Sequence, residues 1–132
     1  MNTPAGLNAL RAAIPALPEM LQPEQAATVE RFAELEAPCP PDVGGLLRLW
    51  ACSRFAADLC VRHPQWVSDL DPAVLPIRGQ GLRDALAAAL DQVTDMTGAM
   101  SILRRFRQRQ TLCWAYRDIN GLDDIETVLA GL

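Results

Sequence analysis

The residues of this chain that could do chemistry on their own are its thiols and its one imidazole. The sequence has four cysteines and one histidine, and Cys60 and His63 have the spacing that places two side chains on one helix face. A structural zinc site needs about four converging ligands, and the chain has no Cys-x-x-Cys pair. A Cys–His nucleophile pair would need a third group to orient the imidazole, and the sequence offers none. We therefore interpret Cys52, Cys60 and Cys113 as core thiols and His63 as a helix-end residue.

The second candidate feature is a run of arginines in the stretch 103–122, which reads LRRFRQRQTLCWAYRDINGL. When residues 95–119 are placed on a helix at about 100° per residue, an apolar arc appears with arginines along both edges. The arc contains Met96, Ala99, Ile102, Leu103, Phe106, Cys113 and Trp114, and its edges contain Arg104, Arg105, Arg107 and Arg109. Such arginines cover apolar surface with their stems while their charged ends reach water. A solvated face is therefore the simplest interpretation of the run.

Arg117 differs from the other arginines because it falls inside the apolar arc. An unpaired charge at a buried position would cost several kcal/mol, so we expect a carboxylate partner. The acidic residues close to it in sequence are Asp118, Asp123, Asp124 and Glu126. Carboxylates elsewhere in a longer polypeptide are the alternative.

Composition narrows the class of protein. Half of the 132 residues are apolar and 21% are charged, which is typical of a globular domain that builds its core without disulfides. The formal net charge of −4 and the absence of a known binding motif argue against a nucleic-acid partner. No segment is long and apolar enough to span a membrane, and the N-terminus has no signal-peptide pattern. We expect a cytoplasmic protein.

The pattern of prolines, caps and apolar residues predicts an all-α bundle of five to seven helices without a sheet. We expect one helical domain over 1–132, with 1–22 the most loosely ordered part. The predicted helices are 4–14, 23–36, 42–63, 64–70, 82–93, 95–119 and one from 124 onward, with a loop at 71–81. Thr94 or Asp95 is the predicted cap of the arginine helix, and Met96 and Met100 are predicted to pack in the core.

Two of these helices carry more specific predictions. The helix at 42–63 is apolar nearly all round, with Cys52 and Phe55 on its second apolar side, so we expect it at the centre of the bundle. Asn120-Gly121 predicts a left-handed C-cap for the arginine helix. Asp123 and Glu126 have the spacing of a capping box for the last helix, whose apolar stripe would normally continue beyond Leu132. We expect a truncated element there, with a sizeable exposed apolar patch near residues 96–132.

These residues resemble a known family. The phrase LRRFR at 103–107, then Arg117-Asp118, Gly121 and an acidic helix, resembles the bacterial glutamine synthetase adenylyltransferase, a bifunctional adenylyl-transferring and adenylyl-removing enzyme. Upstream, SRFA at 53–56, RHP at 62–64 and Asp69-Leu70 resemble helices of the same family. The resemblance covers about residues 45–132, while residues 1–44 match only in character.

The resemblance implies where this chain lies within the family enzyme, and it assigns the chain no catalytic residues. Each half of the family enzyme has a helical lead-in and a nucleotidyltransferase-like domain, marked by a Gly-Gly turn and a Ser-Asp-x-Asp pair that binds two Mg²⁺ ions. Here Gly44-Gly45 begins a helix and Asp123-Asp124 are adjacent, so no catalytic, cofactor or metal residue is carried over. The chain looks like the lead-in to the adenylyl-removing half, although the lead-in to the other half is an alternative.

The resemblance also implies partners for the whole enzyme. That enzyme transfers AMP from ATP to glutamine synthetase and removes it with phosphate, under control of the PII protein. We expect this chain to be an inactive fragment that supports the catalytic domain through a C-terminal surface, and to self-associate when that domain is missing. Its arginines could also attract phosphate or adenylylated substrate. The residues assigned to this surface are Arg104, Arg105, Phe106, Arg107, Arg109, Arg117 and Asp118.

A stand-alone interaction module of unrelated function is the alternative. The gene sequence beyond Leu132 discriminates between the two hypotheses. A Gly-Gly turn and a Ser-Asp-x-Asp strand within about a hundred residues would indicate the enzyme, and a stop codon the stand-alone module.

Overall fold

The computed structural model describes residues 4–35, 42–71, 76 and 78–131, and within these ranges the chain is helical and has no strand. The all-α prediction is therefore confirmed for this part of the chain. The α-helices are α1 (Pro4–Ala13), α2 (Gln22–Ala33), α3 (Val43–Cys52), α4 (Arg54–Arg62), α5 (Gly79–Leu90), α6 (Met96–Ile119) and α7 (Ile125–Gly131). Short 3-10 helices cover Ile14–Ala16, Glu19–Leu21 and Pro64–Asp69. No helix in the described ranges combines the length and apolarity needed to cross a bilayer.

Helix α3 lies at the centre of the core and contacts α1, α2, α4 and α6. Its side chains Leu46, Leu47, Leu49 and Trp50 are all buried. Trp50 packs edge-on against Phe32 of α2, with ring centroids 5.6 Å apart. Such aromatic pairs add stabilisation beyond the apolar area that they bury. Helix α1 joins the same core through the fully buried side chain of Leu10.

The single helix predicted over 42–63 is wrong, because the chain breaks it at Ser53. The Ser53 backbone is extended (φ −143°, ψ 107°), and its hydroxyl oxygen accepts a hydrogen bond from the Ala56 amide at 3.1 Å. Serine favours such a cap because its side chain competes with the helical hydrogen bonds of the backbone. The break changes the direction of the second half, and Phe55 is 54% exposed while Cys52 is also exposed. The prediction of a helix buried on all sides fails at these two residues.

The end of α6 confirms the predicted left-handed cap. Gly121 has a φ of +67°, a conformation that favours glycine. The Leu122 amide donates to the Arg117 carbonyl at 2.8 Å and the Gly121 amide to the Asp118 carbonyl at 3.1 Å. This pair of bonds is the Schellman motif, which satisfies carbonyls that the helix leaves without partners.

The capping box predicted for the last helix is wrong in its first residue. Asp124 rather than Asp123 caps α7, because its carboxylate accepts a hydrogen bond from the Thr127 amide at 2.7 Å. Hydrogen bonds from the Thr127 side chain and from its amide lower the pKa of the Asp124 carboxyl group. Asp123 instead pairs with Arg117. A buried guanidinium gains more from a carboxylate than an exposed helix end does, so tertiary pairing determines which aspartate caps the helix.

Helices α5 and α6 form a hairpin that extends beyond the core. None of the described side chains of α5 is buried, and the buried residues of α6 all lie between Leu112 and Arg117. Met96 is 75% exposed and Met100 54%, so the prediction that they pack in the core is wrong. A helix of 24 residues is about 36 Å long, which exceeds the width of this small core.

Candidate interface on helix α6

Asp95 caps the N-terminus of α6, which confirms one of the two caps predicted from the sequence, Thr94 or Asp95. The Asp95 carboxylate accepts a hydrogen bond from the Gly98 amide at 2.7 Å. From there the helix continues without interruption to Ile119. It therefore connects the projecting hairpin to the core and carries all seven residues that the sequence assigned to an interface.

The buried end of α6 contains the ion pair that the sequence required. Arg117 donates through Nε to Asp123 Oδ2 at 2.7 Å and through Nη2 to Oδ1 at 3.0 Å. Both side chains are only 9% exposed. The hydrogen bond to Asp123 raises the pKa of the guanidinium, so this arginine is charged at every physiological pH. The pair joins the last turn of α6 to the segment that leads into α7. Asp118, by contrast, is exposed.

A polar cluster between α3 and α6 escaped the sequence analysis. The Tyr116 hydroxyl donates to Asp42 Oδ2 at 3.3 Å, and Asp42 Oδ1 accepts the Gly45 amide at 2.9 Å. The Asn120 amide nitrogen donates to the Gly45 carbonyl at 3.2 Å, and Arg48 donates to Asn120 Oδ1 at 2.6 Å. Burial and the nearby Asp42 carboxylate raise the pKa of Tyr116 to about 12. These contacts join residues more than 70 positions apart, which local patterns do not reveal.

Gly45 fits this cluster because it has no side chain. A Cβ atom at this position would lie 2.4 Å from Asp42 Oδ2 and 2.8 Å from the Tyr116 hydroxyl oxygen. The neighbouring Gly44 has no such restriction, since its nearest contact would be 3.6 Å away. Gly45 alone of the Gly-Gly pair therefore allows the close approach of α6 to the start of α3.

The projecting part of α6 carries the other arginines of the candidate surface. Arg104, Arg105 and Arg107 are exposed, and no salt bridge to them occurs among the described residues. Arg109 already forms an ion pair within this chain, since its Nε donates to Asp69 Oδ2 at 2.7 Å. The four arginines at the edges of the apolar arc are thus not equivalent, and three of them have charges available to a partner.

A shallow groove of about 200 Å³ lies between α5, α6 and the 3-10 helix Pro64–Asp69. Phe106 lies on its wall and is partly buried. Its lining residues are Trp66, Ala89, Ile102, Arg105, Phe106 and Arg109. His63 stacks on the Trp66 ring at a centroid distance of 3.9 Å. Burial, Arg105 and Arg62 lower the pKa of this imidazole. The groove is shallow and open to solvent, so we interpret it as a packing crevice.

Of the three thiols that the structure describes, two are buried. Burial raises the pKa of Cys60 and of Cys113 to about 11, so both are protonated at neutral pH. Cys52 is exposed, which corrects its prediction as a core thiol. In the described ranges no three His, Cys, Asp or Glu residues lie close enough together to hold a metal ion.

The structure separates the predicted interface residues into two groups. Arg117 and the Asp123 partner lie at the core end of α6, and Arg104 to Arg107 lie about 15–20 Å away along the helix axis. Only Arg105, Phe106 and Arg109 converge, at the groove. The exposed large apolar residues at the C-terminal end are Met96, Met100, Leu103, Leu122, Ile125 and Leu129, so apolar surface is exposed where the sequence predicted it.

Comparisons with known proteins give this surface a context. The family model for glutamate-ammonia ligase adenylyltransferase matches residues 43–132. A bifunctional glutamine synthetase adenylyltransferase/adenylyl-removing enzyme from Thioalkalivibrio sulfidiphilus is 27% identical over 92% of this chain and 13% of its own length. The enzyme of the same description from Stenotrophomonas maltophilia is 35% identical over 87% of this chain and 12% of its own length. The one from Nitrosococcus oceani is 31% identical over 66% of this chain and 9% of its own length.

The chain matches only a small part of each relative. The chain corresponds to only about an eighth of the length of the first two relatives. No solved structure matches it significantly. Because the family model covers more than half of the chain, the protein belongs to the glutamate-ammonia ligase adenylyltransferase family.

Proposed function

We propose that this chain is a non-catalytic helical region of a cytoplasmic enzyme that adenylylates and deadenylylates glutamine synthetase. In the whole enzyme, α6 and α7 pack on the adenylyl-removing domain and support it. The observation that carries the proposal is the family match over residues 43–132 in a chain that spans 12–13% of its relatives. ATP, Mg²⁺ and the PII protein belong, in this proposal, to the remainder of the enzyme.

The polar contacts of the described residues support a structural role. The partly buried carboxylates and amides join helices: Asp123 binds Arg117, Asp42 binds Tyr116, and Asn120 binds the Gly45 carbonyl. In the described ranges these groups bind one another across helix boundaries, which is the arrangement of structural rather than of catalytic groups. Such contacts fix the position of α6 relative to α3, as a supporting element requires.

The exposed apolar side chains of α7 support the packing part of the proposal. Ile125 is 71% exposed and Leu129 64%, and they lie one helical turn apart. Covering each such side chain contributes about 1.5–3 kcal/mol. A neighbouring domain that covers this face would therefore gain appreciably from the contact.

Paired variants of a full-length enzyme that carries this segment test both parts. Ile125→Asp with Leu129→Asp should leave the stability of the 132-residue chain unchanged, because both side chains face solvent there. In the full-length enzyme the same pair should lower the melting temperature and impair adenylyl removal. His63→Asn and Cys60→Ala should leave both reactions within about twofold of the unmodified enzyme, because groups that only pack contribute no transition-state stabilisation.

Two results would overturn the proposal. A loss of turnover of about a hundredfold in His63→Asn, with binding of substrates intact, would indicate a catalytic role for this region. An Ile125→Asp, Leu129→Asp enzyme with unchanged stability and activity would exclude the packing role of α7.

Attraction of phosphate by the arginines is a separate part of the proposal and needs its own test. Arg109 is held by Asp69, which leaves Arg105 as the free guanidinium at the groove. Arg105→Gln with Arg109→Gln in the full-length enzyme should weaken the dependence of adenylyl removal on phosphate concentration if these charges act on the substrate. An unchanged phosphate dependence would exclude this role and leave the packing role intact.

A further inference from the structure

One line along α6 is covered at its C-terminal end and uncovered at its N-terminal end. Met96, Met100 and Leu103 follow one another at helical spacing and are 75%, 54% and 43% exposed. Trp114 lies on the same line, about five helical turns after Met96. It is only 5% exposed, although it lies outside the main core cluster. The same face of the helix therefore changes from exposed to buried along its length.

The covered end shows how α6 accepts a neighbouring segment. Helix α7 returns against α6, and Asp123, which precedes it, pairs with Arg117. The returning segment is acidic, with Asp123, Asp124 and Glu126 in its first turns, and it carries apolar residues at helical spacing. An arginine of α6 thus binds a carboxylate of the acidic segment that leads into α7, while Ile125 and Leu129 of α7 remain exposed.

The N-terminal half of α6 presents arginines next to exposed apolar side chains. We call Met96, Met100, Leu103, Arg104 and Arg107 the outward stripe. Its two arginines are exposed, and the part of the chain that the structure describes offers them no salt bridge. Its three apolar residues have the spacing of anchors that pack against a second helix. The stripe lies on the α5–α6 hairpin, and no described side chain of α5 is buried.

We propose that the outward stripe is a docking site for an acidic amphipathic helix from the remainder of the same polypeptide. This inference rests on the proposed function and names the chemistry of the partner. The docked helix carries apolar residues three or four positions apart, with carboxylates beside them that pair with Arg104 and Arg107. Relatives about eight times longer than this chain supply ample polypeptide for it. Two outward stripes facing each other in a pair of copies would place like charges together.

The chemistry of the stripe is tested on the 132-residue chain with two synthetic peptides. Both are amidated 18-residue helices with leucine on one face, flanked by glutamate in one peptide and by lysine in the other. The glutamate peptide should bind more tightly than the lysine peptide. Arg104→Gln with Arg107→Gln should weaken its binding by about fivefold, which is the effect of two exposed ion pairs. The control is Arg62→Gln with Arg83→Gln, which removes the same charge from exposed sites outside α6 and should leave binding unchanged.

Equal binding of the two peptides contradicts the proposed charge complementarity, and so does an equal effect of the two double variants. If neither peptide binds, the proposed docking site itself is overturned. Circular dichroism of each variant establishes that the helical content is unchanged before binding is compared.

The source of the helix is tested by photo-crosslinking in a full-length enzyme that carries this segment. The photoreactive amino acid p-benzoylphenylalanine is placed at position 100, at position 129, or at position 20 as a control, since Met20 is 85% exposed on a different element. Position 100 should crosslink to an acidic amphipathic helix of the same polypeptide, and position 20 should not. A link between isotopically distinct copies, a link to a segment without carboxylates, or no link at position 100 overturns the proposal.

The two probes separate this inference from the proposed function. If position 129 links to the remainder of the polypeptide while position 100 does not, α7 packs as proposed and the stripe does not dock a helix. If neither position links, the packing role of the whole surface fails together with the docking site.

Discussion

Two arginine–carboxylate pairs in this chain have nearly the same geometry and differ in burial, which allows the effect of burial to be measured. Arg117 binds Asp123 through two bonds of 2.7 and 3.0 Å, and both side chains are 9% exposed. Arg11 binds Glu30 through two bonds of 2.8 and 3.1 Å, with the side chains 45% and 58% exposed. The perturbations are Asp123→Asn and Glu30→Gln, which remove one carboxylate charge each and keep the size of the side chain.

The expected loss of folding stability depends on whether the arginine is left buried or exposed when its carboxylate partner is removed. Breaking a buried pair leaves a desolvated guanidinium and costs about 3 kcal/mol, at the low end of the usual range because the amide oxygen still accepts one bond. Exposed pairs often contribute nothing measurable, so Glu30→Gln should leave the midpoint of unfolding unchanged. With a urea slope of about 1.5 kcal/mol per molar, Asp123→Asn should lower the midpoint by about 2 M.

Urea denaturation followed by circular dichroism measures both variants, and hydrogen exchange identifies where the structure opens. If Asp123→Asn releases α7, amide exchange in the last helix accelerates while that in α3 does not. Replacing both partners, by Arg117→Met with Asp123→Leu, should restore most of the lost stability, because no buried charge remains. Equal shifts of the midpoint in Asp123→Asn and Glu30→Gln would refute the argument that burial sets the strength of the pair.

Three further predictions concern the glycine pair, the thiols and the tyrosine. In urea unfolding, Gly44→Ala should stabilise the chain and Gly45→Ala should destabilise it, with a difference of about 2 kcal/mol. The reason is that only a Cβ atom at position 45 displaces the Asp42 side chain that caps α3. Equal effects of the two variants would contradict this geometry. In a Cys39→Ser background a disulfide reagent at neutral pH should modify Cys52 rapidly and the two other thiols only on unfolding; rapid reaction of three thiols would contradict their burial. Because the pKa of Tyr116 is raised from 10.0 to about 12, the folded form retains a proton that the unfolded form loses. Stability should therefore decline between about pH 10 and 12, and Tyr116→Phe should abolish this contribution, as unfolding measured across that range will show.

Local signals in the sequence were sufficient to predict both ends of α6, whereas α5 begins at Gly79, inside the predicted loop 71–81, and ends at Leu90 rather than at 93. Asp95 caps α6, and the Asn120-Gly121 pair ends it, as predicted. The break at Ser53 was missed because a serine inside an apolar helix is compatible with either continuation or capping. Tertiary packing of α4 against α2 and α6 selects the second.

The candidate surface was likewise predicted in part from the sequence and determined in part by the tertiary structure. The position of Arg117 on the apolar arc established from sequence alone that it needs a carboxylate, since a buried charge without a partner is too costly. The tertiary structure decided that Asp123 is the partner, because the chain reverses at Gly121 and brings that residue back to the helix. It also decided which end of α6 is buried. Helical periodicity gives the face of a helix that is apolar, whereas the burial of that face depends on which distant residues fold against it.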